Sequence, residues 1–144
     1  MKRSDPPIIV EQNFDTSVEN VWKAITEHGL MVKWYFENIP TFEAEVGFKT
    51  QFNVVSGERD FLHKWEVTEV IPNKKIVYNW TYKDYEGSAD VAFEILEDGA
   101  LSRLQIKVIV LEDFSNDIPE FKRESCIGGW EYFIKGQLKE YLTV

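Results

Sequence analysis

The chain has 144 residues and a formal net charge of −9; 44% of it is hydrophobic and 15% aromatic. That length suits one domain with a core of its own, since a chain of about 150 residues buries roughly 70% of its unfolded surface. The acidic balance excludes nucleic-acid backbone binding, which rests on Lys and Arg neutralising phosphates. The single cysteine, Cys126, excludes an internal disulfide framework and any multi-cysteine metal site.

The opening MKRSDPPIIVEQNF lacks the apolar run of a secretory signal, because Asp5-Pro6-Pro7 stands where that run would begin. No stretch approaches the roughly 20 apolar residues of a membrane span. With the lone thiol, these features point to a cytoplasmic protein. Residues 1–7 are expected to form a loose, flexible arm, and residues 8–144 a single domain. There is no repeat and no linker.

Ile8 to Phe14 reads as a strand. Ser17 follows as a helix N-cap, with Glu19 in the acid-favoured first turn. Val18, Val21, Trp22 and Ile25 give a short amphipathic helix ending near Thr26. Leu30 to Phe36 suggests a second short helix, stopped before Pro40. From Thr41 to about Leu111 the apolar period becomes two. Phe52 and Val54, then Trp65 and Val67, then Ile76, Tyr78 and Trp80, then Val91 and Phe93, then Leu104, Ile106 and Val108 mark successive strands. Ser56-Gly57, Pro72-Asn73, Glu86-Gly87 and Asp98-Gly99 supply the turns. Such short connections demand antiparallel pairing, because parallel strands need crossovers of a dozen or more residues. About six strands are expected here. After Asp117 and Pro119 the period returns to that of a helix. Ile127, Trp130, Ile134, Leu138 and Tyr141 form one apolar stripe along a helix of about 20 residues. This helix is the element long enough to cover the apolar face of the sheet.

The order strand, two short helices, antiparallel strands, long helix resembles the helix-grip fold of the START and Bet v 1-like superfamily. This is an α+β class with a curved antiparallel sheet wrapped around a long C-terminal helix. More narrowly, the chain resembles the family named for the activator of Hsp-90 ATPase homologue. Asp15 to Trp22, Trp34-Tyr35, Ile76 to Trp80, Gly129-Trp130 and Leu138 to Leu142 carry the likeness. The resemblance implies a cavity between sheet and helix that often holds an apolar ligand. It also brings a chaperone partner into view. The eukaryotic activator has a second domain, and a single-domain reading of this chain argues against stimulation of the chaperone's ATPase.

Trp34, Phe52, Trp65, Tyr78, Trp80, Phe93, Trp130 and Phe133 all fall on registers expected to face the interior. So do His63 and Ile134. Taken singly, each is a core residue. Together they suggest an interior with an open pocket, because buried Tyr and Trp need partners for their polar atoms. A small hydrophobic or aromatic ligand is the expected partner, with His63 and Tyr78 as polar handles. His63 would then titrate near physiological pH; otherwise it is a strand-end histidine with a polar neighbour. A cavity-based enzyme using His63 and Tyr78 as acid–base groups is the alternative that chemistry allows, though a non-enzyme is preferred. His28 is expected in solvent, and Cys126 as a structural thiol. The carboxylate pairs Glu43/Glu45, Glu66/Glu69 and Glu112/Asp113 read as solvated surface. No metal ligand set and no cofactor motif stand out. Gly128-Gly129 inside a helix costs about 1 kcal/mol each. Close approach of helix to sheet, a kink, or a later helix start would each account for the pair.

Overall fold

The computed structural model describes residues 1–143; Val144, the last residue of the expected domain, lies outside them. Strand β1 (Ile8–Phe14) leads into α1 (Val18–Thr26) and α2 (His28–Trp34). Five strands follow: β2 (Lys49–Ser56), β3 (Arg59–Ile71), β4 (Lys75–Tyr82), β5 (Ser88–Asp98) and β6 (Leu101–Glu112). The expected run of about six strands after the helices is thus five, and β1 makes the sixth. The segment from Thr41 to Phe48 is loop, although its apolar residues resemble a strand's.

All six strands form one antiparallel sheet in the order β1-β6-β5-β4-β3-β2. The chain meanders from β2 to β6, and β1 then pairs on the far side of β6. Left-handed backbone at Gly57, Asn73 and Gly99 closes three of the hairpins, where glycine and asparagine tolerate positive φ best. Gly87 also has positive φ (+118°), and a Cβ there would overlap the Phe114 ring.

The Ser17 hydroxyl accepts from the Asn20 amide at 3.2 Å, as an N-cap should. Trp34 Nε1 donates to the Ala24 carbonyl at 2.7 Å, which locks α2 onto α1. Alternate residues of the strands turn inward and are buried, among them Phe61, His63, Trp65 and Val67 of β3 and Leu104, Ile106 and Val108 of β6. This is the α+β helix-grip arrangement, with a curved sheet closed by the C-terminal helical segment.

That segment is not one uniform α-helix. A single 3₁₀ turn (Pro119–Phe121) precedes α3 (Arg123–Glu131), a π-helical stretch (Tyr132–Leu138) and α4 (Lys139–Thr143). The Tyr132 amide, at the junction of α3 and the π-helical stretch, is shared between the carbonyls of Gly128 and Gly129. Trp130, Ile134 and Leu138 are buried as their spacing predicts. The two glycines do not serve close packing, because a Cβ on either would meet nothing within 4 Å. The helix also starts before them and continues beyond them.

Residues 1–7, expected to be a loose arm, lie along the body of the domain. The Met1 carbonyl accepts from the Phe114 amide at 2.9 Å. Arg3 N–H donates to Asp113 Oδ1 at 2.6 Å, and Arg123 Nη1 donates to the Pro6 carbonyl at 2.6 Å.

Candidate functional site

The pleat of β3 and β4 decides which polar side chains enter the interior. Up to the bulge after Val67, odd positions of β3 point inward with even positions of β4, and the register sets His63 opposite Tyr82 and Trp65 opposite Trp80. On the other side Phe52 of β2 faces His63. Directly opposed residues on one face have their Cβ atoms about 5 Å apart. His63 is therefore walled by aromatic rings. Phe52 stacks at 5.2 Å between centroids, Tyr82 meets it edge-on at 4.7 Å, and Phe36 and Trp80 each lie 5.3 Å away.

A cavity of about 280 Å³ opens between this part of the sheet and α3. Its sheet wall is Val54, Ser56, Phe61, His63, Trp80 and Tyr82. The helical wall is Cys126, Gly129, Trp130 and Phe133, with Ser125 beside them. Phe36, from the end of the short-helix pair, adds a further aromatic wall, while Glu120, Phe121 and Met1 complete the lining.

Four of the sequence-predicted site residues, His63, Trp80, Trp130 and Phe133, line this cavity. The other six do not. Trp34, Phe52, Trp65, Tyr78, Phe93 and Ile134 are buried in the core beside or beneath it. Tyr78 is kept from the cavity by its partner: its hydroxyl and that of Tyr35 lie 2.9 Å apart, so two buried hydroxyls satisfy each other. Burial pushes both phenols up from their ordinary range, and for Tyr35 the nearby Tyr78 adds to the effect. Tyr78 and His63 are consequently not a juxtaposed acid–base pair; the tyrosine beside His63 is Tyr82.

Several lining residues were not singled out from the sequence. Phe61, Tyr82 and Val54 each lie two positions from a residue that was, on the same face of the same strand. Cys126, Gly129, Trp130 and Phe133 recur at helical spacing, so their shared face was also readable. Glu120 and Phe121 come from the 3₁₀ turn, which has no periodic signature.

The electrostatics of the cavity are those of a mostly apolar site with a few polar atoms. Burial holds the His63 imidazole down at about 4, against a smaller opposing effect of the Phe61 carbonyl. The ring is therefore neutral at physiological pH, which corrects the expectation of a titrating histidine. Its Nδ1–H donates to the Phe61 carbonyl at 3.1 Å. In the neutral ring that leaves Nε2 as an acceptor, with no protein partner among the described residues. Burial also raises the Tyr82 phenol, with the Cys126 thiol adding to the effect. The Trp80 indole N–H leans toward that hydroxyl and opposes the shift slightly, yet Nε1 has no partner within hydrogen-bonding geometry. The Cys126 thiol is pushed up to about 11, chiefly by burial, and remains protonated and unreactive at neutral pH.

At one side of the cavity Glu120 is held by Ser56, whose hydroxyl donates to Oε2 at 2.9 Å, and by Arg59 at 3.6 Å. The Glu120 carboxyl is lowered first by its own backbone N–H and then by Ser56. His28, expected in solvent, is half-buried and donates from Nε2 to the Ile39 carbonyl at 2.5 Å. Among the described residues no three His, Cys, Asp or Glu side chains converge as metal ligands would. No helix among them is long and apolar enough to cross a membrane.

The fold is shared widely among solved structures. The chain superposes on protein CV1439 from Chromobacterium violaceum with a TM-score of 0.78 at 18% identity, covering 96% of this chain and 97% of that one. The Aha1 dimer from Colwellia psychrerythraea gives 0.74 at 17% identity, with 97% and 98% covered. DynU16, from the dynemicin biosynthetic locus, gives 0.78 at 19% identity; 97% of this chain matches 48% of that one. At these identities the likeness is one of fold. No curated protein matches the chain. A family model described as activator of Hsp90 ATPase homolog 1-like protein matches residues 15–143, and over that span, nearly its whole length, the chain belongs to this family.

Proposed function

We propose that this protein is a cytoplasmic binding domain for a small, largely apolar or aromatic molecule, held between β2–β4 and α3. The observation that carries the reading is the cavity of about 280 Å³ with an aromatic wall. It lies just below the usual range of about 300–1,000 Å³ for small-molecule sites. Its lining pairs many apolar surfaces with few polar atoms, the pattern that gives affinity by burial and orientation by hydrogen bonds.

The test uses Trp80 and Trp130, which form part of the cavity wall. Titration with a panel of cyclic hydrocarbons, aromatic compounds and medium-chain fatty acids should give a saturable change in tryptophan fluorescence for compounds that fit. Calorimetry should give a matching one-to-one stoichiometry. A flat response across the panel refutes the reading. A second reading follows from the family match: contact with an Hsp90-type chaperone. Its measure is the ATPase rate of the cognate chaperone with and without this protein.

A further inference from the structure

The polar atoms of the cavity are arranged for a particular kind of guest. His63 is 94% buried, with 6% of its surface exposed, and it lines the cavity. Its Nδ1–H is committed to the Phe61 carbonyl. Nε2 is left as a hydrogen-bond acceptor that no described residue fills, on a side chain that lines the cavity. The neighbouring Tyr82, 4.7 Å away between ring centroids, presents a hydroxyl on the same wall. Only the Trp80 indole N–H leans toward that hydroxyl, and an N–H cannot accept. The Tyr82 proton therefore has no acceptor among the described residues. The two residues thus offer one acceptor and one donor to the same cavity, whose lining also holds the rings of Phe36, Trp80, Trp130 and Phe133.

A group that matches this pair must both donate and accept, and the flat rings around it favour an aromatic carrier. A neutral hydroxyl on an aromatic ring does this with one oxygen. Size limits the carrier: an apolar cavity of about 150 Å³ holds one benzene, so 280 Å³ suits two fused or linked rings. We propose that the cavity selects a neutral two-ring hydroxyaromatic molecule, its hydroxyl donating to His63 Nε2 and accepting from the Tyr82 hydroxyl. This rests on the ligand-binding reading above and narrows it to a chemical class.

The test compares three shape-matched probes by calorimetry on the intact protein at pH 7: naphthalene, 2-naphthol and 2-methoxynaphthalene. The ether keeps the oxygen but has no proton to donate. 2-Naphthol should bind about tenfold more tightly than either of the others, the ratio that about 1.4 kcal/mol gives. His63→Phe keeps a ring among the rings of Phe36, Phe52, Trp80 and Tyr82 and removes the acceptor. In that variant the tenfold preference should vanish while naphthalene still binds. Tyr82→Phe should lower 2-naphthol affinity and leave naphthalene unchanged. If all three probes bind wild type equally, the hydroxyl preference is wrong and the apolar-ligand reading survives. If 2-methoxynaphthalene equals 2-naphthol, His63 Nε2 is not the acceptor, and the proposal fails. If none of the three binds, the two-ring proposal fails, and the wider ligand-binding reading is decided by the panel above. The wild-type series decides the matter even if a variant does not fold.

Discussion

Gly129 is the position where the fold and the proposed function separate most cleanly. It lies inside α3, at the cavity wall, and a Cβ built there meets nothing within 4 Å. Its φ is not in the positive range, so an alanine is not strained. Glycine in a helix interior is about 0.8–1 kcal/mol less favourable than alanine, through backbone entropy. Gly129→Ala should therefore stabilise the protein by about that amount. With an unfolding entropy of about 2.1 cal/mol/K per residue, a chain this long unfolds with roughly 300 cal/mol/K. The expected rise in Tm is then about 3 °C, and Gly128→Ala should add a similar increment if the two are independent. Gly129→Leu keeps the gain, because leucine is close to alanine in helix propensity, but its side chain starts at the cavity wall and should occlude it. Differential scanning calorimetry and ligand titration on the three proteins give the answer. Stabilisation by alanine, with ligand binding lost only in the leucine variant, is the expected outcome. A fall in Tm for Gly129→Ala would refute the reasoning, since it would mean that the missing Cβ is used for packing.

Two further predictions concern the walls of the cavity. His63 should make stability pH-dependent. Its folded value is about 4, against 6.5 unfolded, so the unfolded chain takes up the proton first. Stability is then full above about pH 6.5 and is lost progressively as pH falls toward 4, by about 3 kcal/mol in all. Urea unfolding of wild type and His63→Phe at pH 7 and 5 isolates this from the carboxylates: wild type should lose about 2 kcal/mol more than the variant between the two, and equal losses would show that His63 does not resist protonation. Trp130→Ala should cost about 3 kcal/mol, the low end for a buried tryptophan. Its ring packs within 6.0 Å of Tyr35, Trp80 and Phe93, yet one side meets the cavity. A cost above 5 kcal/mol in urea unfolding would indicate a ring enclosed on all sides.

Local patterns in the chain specify most of the architecture. Alternation along Leu104, Ile106 and Val108 needs only the pleat of a strand, and Ser56-Gly57 or Asp98-Gly99 needs only the backbone freedom of a turn. Those are properties of neighbouring residues, so they can be read without coordinates, and the antiparallel sheet follows from the short connections. Residue 63 could likewise be assigned to an inward register. What only the tertiary structure decided is which inward residues face space and which face one another. Tyr78 and Tyr82 share one face of β4, yet Tyr35 arrives from the segment after α2 to take the Tyr78 hydroxyl, and no described residue accepts the Tyr82 proton. The same holds for His63, whose lowered pKa comes from rings brought by β2, β4 and the segment after α2. The change of helical pitch at Tyr132–Leu138 has no sequence signal either. A cavity is a shortfall of packing among distant segments, and packing is settled by volumes that meet only after the chain has folded.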